Sequence, residues 1–572
     1  GRGATVTCDI PAEVAQPLLA LGRRQGATAF MTFLSVFAAM LGRHTGATDV
    51  AIGTVVAGRG QAELDDVVGF FVNTVVVRVD LAGDPTVTTL IGRVRESALD
   101  AFSHDELPFD RLVEGLAPQR DLSRSPLCDV TFGLREQAPE PPRLTGLDVR
   151  PVAVERTTAK FDLTFGLTAG TDGGYLAELE YATDLFTEAT IRRLAGHFRT
   201  LVESAATAPD RPVSRLDMLD PAERGRLLRD WNPRAMPITH ESLHEAFAAQ
   251  AARTPDAPAV EYAGERLTYA ELDDRAATLA RRLHAAGVRP EDPVAVYLDR
   301  SPAAVTALLA VLRAGGVYVP LDTAQPTERL AAMLGDLRPA VVLTDRRPSS
   351  LPGSAPVLTV GETVGEAEDA PPGDLPLIDL PPGDPGRAAY MIYTSGSTGR
   401  PKAVVVPHGA YTHHCRVHAD AHDIRPGDRV LLHAPLIFDP AMAQMGATLL
   451  AGATVVIGDT GVVAPADLPD LLAETGVTHV ALAATYYRDV MTGIRPGDPR
   501  PAALRVLAVG GEAVGYQDAR LWLATGLPAR FLCVYGPTEA TIGSLCHPVT
   551  PAEAAAAAPD AGLPIGRPLP GT

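Results

Sequence analysis

The sequence holds no Cys-x-x-Cys pair, no basic excess, no bilayer-length apolar run and no repeat of fixed period. Each absence narrows what the chain can be. The five cysteines, Cys8, Cys128, Cys415, Cys533 and Cys546, are odd in number and none forms a close pair. That usage fits reduced thiols in a cytoplasmic protein without a zinc site. Lys and Arg total 50 against 69 Asp and Glu, a net charge of −19. A nucleic-acid binder ordinarily presents a basic surface, so no nucleic-acid partner is expected, although a local basic pocket remains compatible with the total. The most apolar early run, Ala27 to Leu41, is too short to cross a bilayer and carries Thr28, Thr32 and Ser35. It is expected to be a buried helix, and no membrane partner is expected. The N-terminus lacks a basic-then-apolar leader pattern.

What is present is enough for about three to four domains of ordinary size. Hydrophobic residues make up 46% of the 572, so large cores can form. Residues 11 to 42 suggest two helices broken near Gly26, with Thr28 a cap. Val50 to Val56 and Val72 to Val79 suggest strands, and Glu188 to Ser204 a helix. The run Ala208-Pro209-Asp210-Arg211-Pro212 interrupts the pattern, and an interdomain linker is expected at 205–240. Beyond it helices and strands alternate: Leu243 to Arg253, Leu272 to Ala286, Val294 to Leu298, Ala303 to Arg313, Val317 to Pro320. This alternation predicts an α/β fold with helices on both faces of a sheet. Residues 348–387, rich in Pro, Gly and Asp, suggest a surface excursion, and Ala552 to Ala558 a low-complexity patch near a loop.

The most informative stretch is Tyr393 to Lys402, YTSGSTGRPK. A strand-like run, Ala389 to Ile392, leads into it. Gly396 and Gly399 let a backbone approach closely, Thr394, Ser395, Ser397 and Thr398 offer hydroxyls, and Lys402 adds positive charge. Such a loop can wrap a polyphosphate, although it lacks the ending of a Walker loop. A plain Gly/Ser turn between two strands is the alternative.

The stretch resembles the phosphate-binding signature of adenylate-forming enzymes, specifically the amino-acid adenylation domains of nonribosomal peptide synthetases. Other segments support the resemblance in the family's order: LTYAEL at Leu267 to Leu272, LRAGGVYVPLD at Leu312 to Asp322, FDPAMAQ at Phe438 to Gln444 and VYGPTEA at Val534 to Ala540. The first 204 residues resemble the C-terminal lobe of a condensation domain, which is chloramphenicol-acetyltransferase-like. The matching segments are RHTGATDVAIGTVVAGR (Arg43 to Arg59), VGFFVNTVVVR (Val68 to Arg78), HDELPFDRLVEGL (His104 to Leu116) and RDLSRSPLCDVTF (Arg120 to Phe132). The family's His-His-x-x-x-Asp-Gly motif is absent. The pair His413-His414 lacks its Asp-Gly and falls in the adenylation region. At four-residue spacing His414, His418 and His422 would share one helix face, which is expected to be an ordinary, partly exposed one rather than a metal site. The resemblance therefore implies a condensation lobe at 1–204 and the large α/β N-terminal subdomains of an adenylate-forming domain at 241–572.

It also implies a chemistry. An amino-acid carboxylate attacks the α-phosphate of ATP, and pyrophosphate leaves. The loop from Thr394 to Lys402, with Ser395, Gly396, Ser397, Thr398 and Gly399, would hold the β- and γ-phosphates. Thr538 would contact phosphate, and Glu539 would hold Mg²⁺. Tyr535 and Gly536 would flank adenine, and Gly510, Gly511 and Glu512 would pass close to it. Cys533 stands where the family commonly has asparagine, and Ala403 where it usually has glycine. Asp439 would pair with the substrate ammonium, a cap at the following helix being the alternative. The remaining pocket positions map to Pro440, Ala443, Ala481, Ala508, Gly510, Val534, Ile542 and Gly543. Most are small and none is charged, which implies a bulky, hydrophobic or aromatic amino acid. The partners implied are the rest of a synthetase and a carrier domain bearing phosphopantetheine. The family's later Tyr-x-Thr-Gly-Asp segment, its mobile domain with a catalytic lysine, and the carrier serine motif do not occur before Thr572. The chain thus resembles a slice that is expected to adenylate poorly alone. An acyl- or aryl-CoA ligase and a non-catalytic docking platform are the competing readings.

Overall fold

The structure is a computed structural model describing residues 1–572 except 60, 61, 65, 117–125, 138–144, 148, 150, 151, 153–156, 233–240, 346–354, 361–383, 395–401, 459, 460, 462, 495–499, 559 and 560. The chain divides into two compact units, Gly1–Leu228 and Arg229–Thr572.

In the first unit the strands are β1 (Gly3–Ile10), β2 (Asp49–Val56), β3 (Asn73–Asp80), β4 (Val130–Arg135), β5 (Leu163–Ala169) and β6 (Tyr175–Ala182). They form one mixed sheet in the order β1-β6-β5-β4-β2-β3. The expected pair of early helices is Ala12–Arg24 and Ala29–Thr45. Gly26 between them adopts φ +68°, a left-handed turn that suits glycine. Thr28 caps the second helix, its hydroxyl accepting from Met31 N–H at 3.2 Å. That helix is buried along most of its length, and Phe33, Phe37, Phe132, Phe165 and Phe198 pack ring to ring against it and the sheet. Among the described residues no single helix is long and apolar enough to cross a membrane. These two satisfy the criterion only as a pair bent by 108°.

The unit extends past the expected end at 204. The helix Glu188–Thr207 continues into a turn whose Val213 and Leu216 join the first core. Ser214 donates to Asp84 through both its N–H and its hydroxyl. The first part of the expected 205–240 linker is therefore packed structure, because its apolar residues return to the core despite the Pro and Asp around them.

In the second unit β7 (Pro258–Tyr262) and β8 (Glu265–Thr268) form one end of a nine-stranded sheet. A separate six-stranded sheet comprises β9 (Pro293–Tyr297), β10 (Val317–Pro320), β11 (Val341–Thr344), β12 (Val357–Thr359), β13 (Ala388–Thr394) and β14 (Lys402–Pro407). The larger sheet is completed by β15 (Arg429–Leu432), β16 (Thr454–Ile457), β17 (His479–Ala483), β18 (Val506–Gly510), β19 (Arg530–Tyr535), β20 (Leu545–Val549) and β21 (Arg567–Pro568). The orders are β12-β11-β9-β10-β13-β14 and β21-β20-β19-β18-β17-β15-β16-β7-β8. Both are mostly parallel. One core joins inward-facing residues of both sheets, such as Val296, Tyr318, Val430 and Val455, with the helices Tyr269–Ala285, Pro302–Arg313, His408–His422 and Pro440–Leu450. Separate cores cover the outer faces. The layering is helix, sheet, helices, sheet, helix.

Tyr269 ties layers together: its buried hydroxyl donates to Leu449 O at 3.0 Å and Ala453 O at 2.8 Å. Two local expectations differ. Residues 551–556 form a short helix with a Thr550–Glu553 capping box. Val357–Thr359, inside the expected excursion, is an edge strand on β11.

Candidate functional site

In the nine-stranded sheet the chain runs from β15 to β16 on one side and then to β17 on the other. Ligand crevices of open α/β sheets lie outside the strand carboxyl ends where the order reverses in this way. Asp439 follows β15 there, Gly510 ends β18, and Tyr535 ends β19.

Asp439 follows β15 and occupies the N-cap position of the helix Pro440–Leu450. Its backbone is already helical (φ −60°, ψ −26°), and its side chain makes no capping hydrogen bond. The carboxylate instead lies beside the Thr538 side chain. Burial raises its pKa above the ordinary aspartate value, Thr538 opposes the rise, and nearby Glu539 adds to it. No cation pairs with Asp439 among the described residues. Tyr390 from β13 lies close enough that burial, then the Asp439 charge, push its phenol upward. Its hydroxyl is buried without a partner.

Thr538 and Glu539 sit on a 3₁₀ turn, Thr538–Ala540, after β19. Strand β14 packs against that turn. Lys402 opens β14, exposed, directly opposite Thr394 in the β13–β14 hairpin. Thr394 Oγ1 donates to Lys402 O at 3.4 Å. The hairpin thus fixes both ends of the glycine-rich loop. Ser395, Gly396, Ser397, Thr398 and Gly399 themselves lie outside the described residues.

The apolar wall comes from strand register. Ala481 pairs with Ala508, and Ala508 with Leu532. One step on, Ala483 pairs with Gly510 and Gly510 with Val534. Ala481, Ala508 and Val534 belong to one small apolar cluster. Period-2 alternation puts Ala481, Ala508, Gly510 and Val534 on one face of the sheet. A Cβ on Gly510 would stand 2.3 Å from Val534 O, so only glycine fits. Gly536 is equally constrained, a Cβ there falling 2.1 Å from Ile542 O. Thr541 and Ile542 adopt φ +63° and +70°, left-handed values that are strained for β-branched side chains. That turn carries buried Ile542 and Gly543 to the wall, where a Gly543 Cβ would lie 3.3 Å from Val534 Cγ1. Ala443 is buried in the helix layer, while Pro440 is exposed.

Gly511 takes φ +78°. The neighbouring Glu512 carboxylate accepts from Thr485 N–H at 3.1 Å and from its hydroxyl, at the start of the helix Ala484–Gly493. It is held by that helix start, which favours negative charge. Tyr535, at the end of β19, is 48% exposed.

Cys533 and the histidine row complete the surroundings, and the histidine face departs from expectation. Cys533 is 4% exposed and packs in the outer core with Val509 and Phe531, on the face opposite Val534, so it takes no place on the wall. The histidines do share a helix face, with His418 and His422 rings stacked at 3.8 Å, but that face is not a solvated one. His414 and His422 are each 4% exposed, and burial pulls their pKa values down to about 3 and about 4, leaving both neutral. No metal-binding group of three or more His, Cys, Asp or Glu occurs among the described residues.

A layered α/β unit with an acidic anchor, a hairpin-closed glycine loop and a small-residue wall at the strand ends is the architecture of a nucleotide-using ligase. The AMP-binding enzyme family model matches residues 247–572, and the condensation domain model matches 2–228. The chain belongs to the AMP-binding enzyme family of adenylate-forming ligases, with a condensation domain ahead, as in nonribosomal peptide synthetases. It is 38% identical over 558 residues to chondramide synthase cmdD of Chondromyces crocatus, covering 96% of this chain and 14% of that protein. It is 38% identical over 591 residues to phosphinothricin tripeptide synthetase PhsB of Streptomyces viridochromogenes, covering 99% of this chain and 48% of that protein. The chain therefore spans less than half the length of these relatives. The nonribosomal peptide synthetase FmoA3, solved with alpha-methyl-L-serine-AMP bound, superposes with a TM-score of 0.83 at 26% identity. The match covers 99% of this chain and 63% of that one.

Proposed function

We propose that the second unit selects a bulky, hydrophobic or aromatic amino acid and activates it with ATP as the aminoacyl-AMP. The observation that carries this reading is the Asp439 carboxylate, which is half-buried, uncapped and beside both Thr538 and Glu539. A partly desolvated carboxylate next to a second acid is costly unless a cation arrives, and an α-ammonium supplies one. With the ammonium on Asp439, the substrate carboxylate is directed toward the nucleotide. Its oxygen attacks the α-phosphorus, the α–β phosphoanhydride bond breaks, and pyrophosphate leaves. Lys402, fixed by the hairpin, would offset phosphate charge together with the loop Ser395 to Gly399, and Thr538 would donate to a phosphate oxygen. Gly511 and Gly536 leave room for the base, and Tyr535 flanks it.

Glu539 fits Mg²⁺, because a nucleotide-bound magnesium needs only one or two protein carboxylates beside phosphate oxygens. When bound, the ion would neutralise charge on the polyphosphate. The aminoacyl group would then pass to the phosphopantetheine thiol of a carrier domain, within a longer cytoplasmic synthetase in which the first unit takes part in condensation.

ATP–pyrophosphate exchange in the native synthetase tests this, with a panel of amino acids, fatty acids and aryl acids. Exchange driven by large apolar or aromatic amino acids supports the reading. Exchange driven only by fatty or aryl acids, or none at all, overturns it.

A further inference from the structure

The wall described above has a second side that the motif positions do not cover. In the helix His408–His422, the residues His414, His418 and His422 form a row, with ring centroids 5.4 Å and then 3.8 Å apart. The far end is pinned where His479 Nε2 meets His422 O at 3.0 Å, at the start of β17. His479 lies on the same sheet face as Ala481, two residues on. The near end reaches the candidate pocket. A Cβ on Gly543 would lie 3.5 Å from His414 Cε1 and 3.3 Å from Val534 Cγ1, so His414 and Val534 flank the same glycine. The row therefore lies over the face that presents Ala481, Ala508 and Val534.

His414 is 4% exposed, and its Nε2 is buried with no hydrogen-bond partner. A buried polar atom left unpaired costs about 1–3 kcal/mol. Native structures seldom tolerate one without a reason. An apolar residue would have filled this place if the pocket received only hydrocarbon. The ring is neutral, and none of the wall positions Ala481, Ala508, Gly510, Val534, Ile542 and Gly543 is charged. A charged side chain would enter without a counter-ion. A hydroxyl meets the need whichever tautomer His414 adopts, since it can both donate and accept.

We infer that His414 is a specificity-determining residue at the floor of the side-chain pocket, where it receives the hydroxyl of a hydroxyaryl amino acid such as tyrosine. The aromatic ring fills the volume left by Ala481, Ala508, Gly510 and Gly543. This rests on the amino-acid-activation reading above and names its substrate class.

The test is ATP–pyrophosphate exchange in the native synthetase with tyrosine, phenylalanine, tryptophan, leucine and glutamine. The comparison covers wild type, His414→Leu and His414→Gln, with melting temperature recorded for each. Tyrosine should exceed phenylalanine in kcat/KM by at least about tenfold in the wild type, as expected for a site built around a hydroxyl. His414→Leu should abolish that preference while exchange with phenylalanine holds or rises. His414→Gln, which keeps a hydrogen-bonding group, should restore part of it. Equal use of tyrosine and phenylalanine by the wild type overturns the inference, and so does a preference that survives both substitutions. In those cases exchange itself persists and the activation reading stands. Exchange with no amino acid overturns both.

Discussion

Replacing Asp439 with alanine, which cannot cap a helix, separates a substrate anchor from a helix cap, because the two roles predict opposite effects on stability. A capping aspartate loses about 0.5–2 kcal/mol of stability when its bond is removed. Asp439 makes no capping bond. Burial, reinforced by Glu539, instead holds its pKa above the ordinary value of 3.8. The sign follows from proton linkage. With the folded pKa raised, the folded chain binds more protons than the unfolded chain between the two pKa values. The stabilising contribution is then complete below pH 3.8 and is lost as pH rises through the folded pKa. At neutral pH the ionised carboxylate opposes folding, so Asp439→Ala should leave stability unchanged or raise it. Amino-acid recognition should suffer heavily. Truncating one partner of a buried charge pair costs about 2–5 kcal/mol, which corresponds to roughly 30-fold to several-thousand-fold in kcat/KM for the amino acid. ATP binding should change little. The assay is urea unfolding at pH 7 beside ATP–pyrophosphate exchange with varied amino acid. A variant that loses 1 kcal/mol or so of stability yet keeps its amino-acid KM would refute the anchor and establish the cap.

Gly510→Ala should destabilise the second unit by about 1–3 kcal/mol, because the new Cβ would stand 2.3 Å from a backbone oxygen that cannot swing away; chemical denaturation reads this directly. Lys402→Ala should weaken ATP binding by about tenfold or more, as loss of a charge-assisted phosphate contact does. Calorimetry with MgATP checks it, and unchanged affinity would place Lys402 outside the nucleotide site. Tyr269→Phe should cost about 1–3 kcal/mol, since Ala453 O loses its hydroxyl donor and Leu449 O keeps only the Gly452 N–H. A denaturation midpoint equal to wild type would count against that account.

Regular elements were legible where a local rule and the core agree. Thr28 caps as its position suggests, Leu243–Arg253 and Val317–Pro320 fall where the pattern puts them, and alternation signalled layered α/β structure. Legibility failed where composition and packing point in opposite directions. The stretch after 204 is rich in Pro and Asp, yet Val213 and Leu216 are enough to bind it to the first core. The alanine-rich patch at 551–556 became helical through Thr550 and Glu553, a capping box overlooked amid low complexity. Cys533 shows a different limit. Its motif position leaves its face open, and the register with β18, which pairs it with Val509, turns it away from Val534. The histidines at four-residue spacing told which residues share a face. They did not tell that the unit packs around that face, which leaves His414 and His422 each 4% exposed.

Three departures from local preference meet along residues 538–543 and their contacts. Asp439 keeps a desolvated carboxylate against Thr538 and Glu539. Thr541 and Ile542 hold left-handed backbone. His414 leaves a buried nitrogen unpaired beside Gly543. Each is unfavourable for the folded chain alone, and each would be relieved by a simple substitution: asparagine for Asp439, glycine for Ile542, leucine for His414. Departures of this kind concentrate where structure serves a ligand rather than stability. If the ligand is what relieves them, the effects should appear together. A bound amino acid with ATP should raise the melting temperature of the wild type more than that of Asp439→Asn, whose unliganded form has already lost one of the three costs. Differential scanning calorimetry with and without both ligands measures that difference. Equal ligand-induced shifts in the two proteins would mean that the strain at this turn has a purely structural origin.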